Sequence, residues 1–298
     1  MTQQQDASAS FFMYNIVMNH LISITKSDGT KQLFEEEKLV SSLRRVGASP
    51  EAIEDVADEI GKEIADGMTT SEIYRRAFAL LRKHSMPVAV KYSVRRAMTE
   101  LGPDGFPFEK FVARVFKMWG YEAVTDQVVL GKCVEHEVDV IAWKDNSLAM
   151  VEAKYHNEFG LKSDLKVSLY VKARYDDISE NEYDYGGVKR KLTERWLITN
   201  TKFTDKAIQY GECNKMKLLG WNYPDHGNLH ELIFENSLHP IACLTTLTRD
   251  QKRELAGQNV LVCLDLVGNP GVLNSIGVKA EDQEKVLTEA QIVIEQAK

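Results

Sequence analysis

The chain has 298 residues, 44% apolar and 27% charged, with a formal net charge of −7. Such a length supports roughly two or three domains, each with its own core, and the acidic balance excludes a protein that coats nucleic acid by bulk electrostatics, since non-specific affinity comes from neutralising phosphates. The four cysteines, Cys133, Cys213, Cys243 and Cys263, are far apart with no C-x-x-C pair, which speaks against both a zinc site and a disulfide framework.

The opening segment "FFMYNIVM" is too short for a membrane span, and it lacks the basic lead-in of a secretory signal. Residues 1–20 are read as a tail, with the chain expected in the cytoplasm and away from membranes. From about Ser23, "ISITKSDGTKQLF" alternates around Asp28-Gly29 as a hairpin does. Helical periodicity follows. "EEEKLVSSLRRV" sets Leu39, Leu43 and Val46 on one face; "SPEAIEDVADEIGKEIADG" has a Ser-Pro-Glu start; "TTSEIYRRAFALLRKH" opens with capping threonines; a fourth helix begins near Pro87. A hairpin lysine, Lys26, set over helix N-termini is a fair anion site, because unsatisfied amides and the helix dipole favour phosphate.

"GPDGFP" then breaks the pattern as a boundary loop. Beyond it "FEKFVARVFKMWGY" predicts an amphipathic helix, and "EAVTDQVVL" and "EHEVDVIAWKDNSLAMVEAKYH" predict strands around turns. "LYVKARYDDI" reads as a helix with Tyr170 and Arg174 at helical spacing, and "RWLITNTKFTDKAIQYGECNKMKLLGW" as strand, turn, helix, strand. Strands mixed with helices indicate an α/β sheet domain over 102–236. The remainder, 237–298, reads as a small helical piece suited to a structural, dimerisation or DNA-contacting role.

Chemistry concentrates in the middle hairpin. Glu152 and Lys154 are two apart on one strand and so share a face, with Ala153 opposite, and the hairpin folds Asp139 back beside them. Charges in such apolar strands are costly unless paired or holding a metal. Two carboxylates suit a hard cation such as Mg²⁺, and an ammonium beside it is placed to orient or deprotonate a water: the outline of phosphodiester hydrolysis. Glu137 shares a strand face with Asp139, and His156 with Lys154, as candidate supporting groups. The basic "KRK" at Lys189–Lys191 and the Lys162, Lys166, Lys172, Arg174 series are candidate local DNA contacts or a solvated face.

Asp139 followed by Glu152-Ala153-Lys154 resembles the D-…-E-x-K core of the PD-(D/E)xK nucleases, with Val138 in place of the usual proline. "FEKFVARVFKMWGYEAV" resembles the leading helix of the Mrr-like and Holliday-junction-resolvase-like branches, and "WLITNTKFTDKAIQYG" the closing strand and helix of that fold. The resemblance implies a restriction-endonuclease-like mixed sheet flanked by helices. It further implies Mg²⁺ or Mn²⁺ held by Asp139, Glu152 and the Ala153 backbone, with Lys154 catalytic and Glu109 joining the metal site. The N-terminal "ITKSDGTKQLFEEEKLVSSL", "ADGMTTSEIY" and "YSVRRAM" resemble the ATP-cone, a nucleotide-binding regulatory domain, over 21–101. That mapping implies an ATP or dATP site in which Lys26 meets phosphate, Lys38 starts the first helix, Thr70 caps the nucleotide-facing helix, and Tyr92 and Arg96 complete it; Ser27 replaces the usual arginine.

Together these readings give an α/β chain expected to cut DNA under adenine-nucleotide control, as a homo-oligomer, with defence against foreign DNA as one setting. Other readings stay open: a structural ion-pair cluster, a nuclease fold that only senses nucleotide or binds nucleic acid, a nuclease for RNA or branched junctions, and an N-terminal helical bundle that is merely a docking module.

Overall fold

The structure, a computed structural model, describes residues 22–26, 29–99, 101, 106–157 and 160–295. The tail expected over 1–20, Ser27 and Asp28 of the hairpin turn, and all of the "GPDG" loop lie outside them. The chain divides into two compact units, Met1–Arg95 and Arg96–Lys298.

In the first unit, β1 (Ser23–Thr25) and β2 (Lys31–Leu33) pair antiparallel, followed by α1 (Glu36–Arg45), α2 (Pro50–Glu63), α3 (Thr70–His84) and α4 (Met86–Ala97). Ser49 caps α2 by accepting from the Ala52 amide, with Pro50 at the first helical position, where its missing N–H costs nothing. Thr69, one residue before the expected Thr70, is the cap of α3. Its hydroxyl accepts from the Glu72 amide while the Glu72 carboxylate accepts from the Thr69 amide. The glutamate three positions after Thr69 selects it, because only that spacing closes the reciprocal box; Thr70 is the first helical residue. Ile24, Phe34, Leu43, Val56, Ile60 and Leu81 form the core of this unit.

The second unit takes in the last residues of α4 and then α5 (Phe106–Met118), which packs against the sheet. Strands β3 (Glu122–Leu130), β4 (Glu135–Lys144) and β5 (Ser147–Lys154) form an antiparallel meander. β9 (Glu194–Thr199) joins β5 in parallel and β11 (Lys217–Leu219) joins β9, giving the mixed order β11-β9-β5-β4-β3. Between β5 and β9 come β6 (Lys162–Ser163), α6 (Leu165–Ile178) and a hairpin of β7 (Glu182–Tyr185) and β8 (Val188–Lys191); β10 (Lys202–Phe203) pairs with β6, and α7 (Asp205–Cys213) leads to β11. Ile141, Leu148, Met150, Val171, Tyr175 and Leu197 are fully buried between sheet and helices. The β7–β8 hairpin is absent from the sequence reading although Gly186 and Gly187 signal it: both have positive φ, as a two-residue hairpin turn requires.

α8 (Leu229–Glu235) follows β11, and the part expected to be a small helical piece, 237–298, is helical: α9 (Arg249–Gly257), α10 (Cys263–Gly268), α11 (Val272–Ser275) and α12 (Ala280–Glu295). Glu289 of α12 is buried and accepts from the amides and hydroxyls of Thr245 and Thr246. Those four donors compensate its desolvation. Arg114 of α5 pairs with Asp265 of α10 at 3.4 Å.

Candidate functional site

The expected hairpin brings its acids into one row. Asp139 is central in β4; with respect to β5 it lies one residue beyond the last ladder pair, Val140 with Val151. Asp139 therefore stands opposite Glu152. On the other side, the pairs Thr125–Val140 and Gln127–Val138 set Asp126 of β3 level with Asp139. Asp126 has φ of 57°, a left-handed conformation that aspartate tolerates better than most residues. Three adjacent strands thus contribute Asp126, Asp139 and Glu152 at one level, and Glu109 from α5 lies close enough for Asp139 and Asp126 both to raise its pKa.

The Ala153 amide donates to Asp139 Oδ2 at 2.6 Å. Burial pushes the Glu152 carboxyl up to about 7, with Asp139 adding to the rise while Arg174 and Lys154 oppose it. Asp139 is likewise raised by burial, against the pull of the Ala153 amide and Arg174. Glu109 is pushed up to about 8, first by burial, then by Asp139 and Asp126. Buried carboxyls that resist ionising together are stabilised by a nearby cation. Lys154 follows Glu152 on the same strand face, half-buried, and makes no ion pair among the described residues.

Among the described residues no three His, Cys, Asp or Glu side chains form a ready-made metal cage. Asp139 and Glu152 with a backbone carbonyl are an all-oxygen donor set, which fits a hard cation that retains waters.

Other candidates are distributed as follows. His156 is half-buried at the strand end, with Nε2 3.1 Å from Ser163 Oγ and its backbone N–H and C=O both bonded to the Asn200 side chain; burial and Lys154 lower its pKa. Glu137 is exposed, as are Lys189 and Lys191 on β8. Arg174 donates to Glu152 rather than standing free for phosphate. Asp126 and Tyr175 are additions to the sequence reading. Asp126 lacks a motif, and Tyr175 looks like a core residue until its hydroxyl is traced to the Glu152 amide, 3.0 Å away.

In the first unit, the Thr25–Thr69 bridge and the Thr25 amide bonded to the Met68 carbonyl run β1 alongside the turn before α3. Lys26, the next residue, therefore sits beside the α3 N-terminus. Lys38 lies in the first turn of α1, paired to Glu35 at 2.7 Å. Tyr92 stacks on Tyr74, with centroids 4.9 Å apart. Arg96, one turn later on α4, is the first residue of the second unit, its carbonyl accepting from the Thr99 amide at 2.8 Å.

Comparison with known proteins finds the two expected domain families in the expected order. Residues 22–100 match the family described as ATP cone domain, 102–224 that described as Restriction endonuclease, and 239–294 that described as AF1548-like, C-terminal. An uncharacterized protein from Archaeoglobus fulgidus is 34% identical over 184 residues, 61% of this chain and 99% of that protein. A crystal structure of AF1548, a protein of unknown function, superposes with a TM-score of 0.53 at 34% identity, covering 63% of this chain and 96% of that one. No helix among the described residues is long and apolar enough to cross a membrane. The domain matches indicate a nuclease with nucleotide regulation. By its identity across nearly the whole archaeal protein, the chain belongs to that protein's family, here carrying an ATP cone ahead of an Mrr-like restriction-endonuclease domain.

Proposed function

We propose that the chain is a divalent-cation-dependent endonuclease hydrolysing DNA phosphodiester bonds, with cleavage governed by ATP or dATP at the cone. The observation that carries this reading is the row of carboxyls, Asp126, Asp139 and Glu152, joined by Glu109 and accompanied by Lys154.

Asp139, Glu152 and the Ala153 carbonyl are the groups assigned to Mg²⁺ or Mn²⁺. Once bound, that cation supplies Lewis acidity at the scissile phosphate and a template for it. The Ala153 amide fixes one Asp139 oxygen, so the carboxylate is oriented before substrate arrives. Lys154 orients the attacking water and favours its deprotonation by its charge. Glu109, protonated at neutral pH, offers a hydrogen-bond donor to the row instead of another negative charge. In the cone, Lys26 beside the α3 N-terminus receives phosphate, with Lys38, Thr70, Tyr92 and Arg96 completing the nucleotide site. Control by nucleotide requires that it bind two states of the protein, conformers or homo-oligomers, with different affinities.

The test is cleavage of supercoiled plasmid with Mg²⁺ or Mn²⁺, with and without ATP and dATP, beside an Asp139→Ala control. Nicked or linear product that needs metal and disappears in the control is expected. Intact plasmid under every condition, from folded protein, retires the endonuclease reading.

A further inference from the structure

Helix α6 grips Glu152 twice. Arg174 Nη1 donates to Glu152 Oε2, and the adjacent Tyr175 hydroxyl accepts from the Glu152 amide at 3.0 Å while donating to the Trp196 carbonyl. One turn back, the Tyr170 ring lies under the guanidinium, 4.5 Å from ring centroid to Cζ, a cation–π stack between residues four apart. Both members of the ion pair are withdrawn from water, their side chains 16% and 12% exposed. Among the described residues, Arg174 is the one cationic side chain hydrogen-bonded to either Asp139 or Glu152. A fixed positive charge therefore occupies an oxygen of the carboxylate that the proposed function assigns to a metal ion.

We propose that Arg174 is a positioning residue that stands in for the divalent cation, holding Glu152 in the metal-free protein and releasing Oε2 when the cation binds. The inference rests on the metal reading above. Two positive charges compete for one carboxylate, so the guanidinium lowers the cation affinity of the site while keeping Glu152 neutralised and aimed. Once released, the guanidinium retains its stack on Tyr170 and its planar fork, a geometry suited to a phosphate of the substrate. Metal loading then precedes tight substrate binding.

The test is calorimetric titration of Mn²⁺, without DNA, into full-length wild type and Arg174→Gln. The variant is expected to bind Mn²⁺ roughly tenfold more tightly, the scale of one lost charge-assisted competitor, and to melt at a lower temperature than wild type until Mn²⁺ saturates it. Equal or weaker binding by the folded variant overturns the proposal, since a merely structural ion pair predicts that result. A second measurement needs no destabilised protein. The Arg174 Nε–Hε resonance of wild type, assigned by its loss in Arg174→Lys, should shift as Mg²⁺ saturates the site, and an unmoved resonance also overturns the proposal. Loss of Mn²⁺ binding in Asp139→Ala combined with unchanged affinity in Arg174→Gln retires the stand-in and keeps the metal site. Absence of Mn²⁺ binding by wild type at millimolar concentration retires both.

Discussion

The Ala153 amide donates to Asp139 Oδ2 at 2.6 Å, so the backbone of one strand fixes the carboxylate of its neighbour. Asp139→Ala removes a proposed cation ligand and strands that amide, whereas Asp139→Asn removes the charge but keeps an acceptor. Both are expected to lose cleavage by about a hundredfold or more. They should differ in stability, with alanine lower by about 1–3 kcal/mol, the usual cost of an unsatisfied buried group. Urea unfolding beside plasmid cleavage reads both effects, and an active Asp139→Asn removes the carboxylate from the mechanism.

Lys154 makes no ion pair among the described residues, so Lys154→Ala is expected to fold like the parent and fail to cleave. Parental cleavage rates from this variant are incompatible with the water-orienting role.

The Glu109 carboxyl, pushed from 4.5 up to about 8, is mostly protonated at neutral pH. Glu109→Gln imitates that neutral form and should keep activity within a few-fold. Because the folded-state value is raised, this group's contribution to stability is complete below about 4.5 and is lost as pH rises through about 8. Metal-free wild type should therefore lose stability relative to Glu109→Gln between about pH 5 and about pH 8. A pH-independent difference between their melting curves refutes the assignment.

His239 has no exposed surface, and neither ring nitrogen has a partner at good hydrogen-bond geometry. Burial pushes its pKa from 6.5 down to about 4 against the opposing pull of the Ser237 backbone, with His230 adding to the depression. The unfolded chain thus takes up a proton that the folded protein refuses, and stability is lost as pH falls from about 6.5 toward about 4. In His239→Leu this part of the acid sensitivity should disappear, measurable as a smaller drop in melting temperature between about pH 7 and about pH 5. An unchanged drop shows that the ring is solvated or paired in solution.

Lys26→Ala should weaken ATP or dATP binding by roughly tenfold or more, through loss of a charge-assisted phosphate contact. Basal cleavage should persist, and its response to nucleotide should vanish. Because linkage is reciprocal, DNA should change nucleotide affinity in Asp139→Ala protein by the same factor with which nucleotide changes DNA affinity. Calorimetry measures both, and equal affinities with and without DNA mean binding without coupling.

The Asp139, Glu152 and Lys154 set is legible in the sequence because a hairpin is local: strand periodicity and one turn decide which side chains meet. The cap of α3 was also within reach, since of two consecutive threonines only Thr69 has Glu72 at the box spacing. Arg174 on Glu152 was not, because it depends on how α6 packs, 22 residues downstream. Asp126 was hidden for a different reason: its place beside Asp139 follows from the register of β3 against β4, while in the sequence it is one polar residue of an alternating strand.

The parallel seam between β5 and β9 has a kinetic consequence. The β3–β4–β5 meander closes through short turns, but β5 meets β9 only after α6 and the β7–β8 hairpin have been traversed, and contacts at long sequence separation form slowly. During refolding the acid row should assemble while the far edge of β5 still presents unpaired amides and carbonyls beside the apolar Leu148–Val151 run, a template for strands of other chains. Pulse-labelled hydrogen exchange should find the β3 and β4 amides protected before those of β9 and β11. Refolding yield should fall with protein concentration, because the strand that carries Glu152 stays adhesive until its parallel partner arrives.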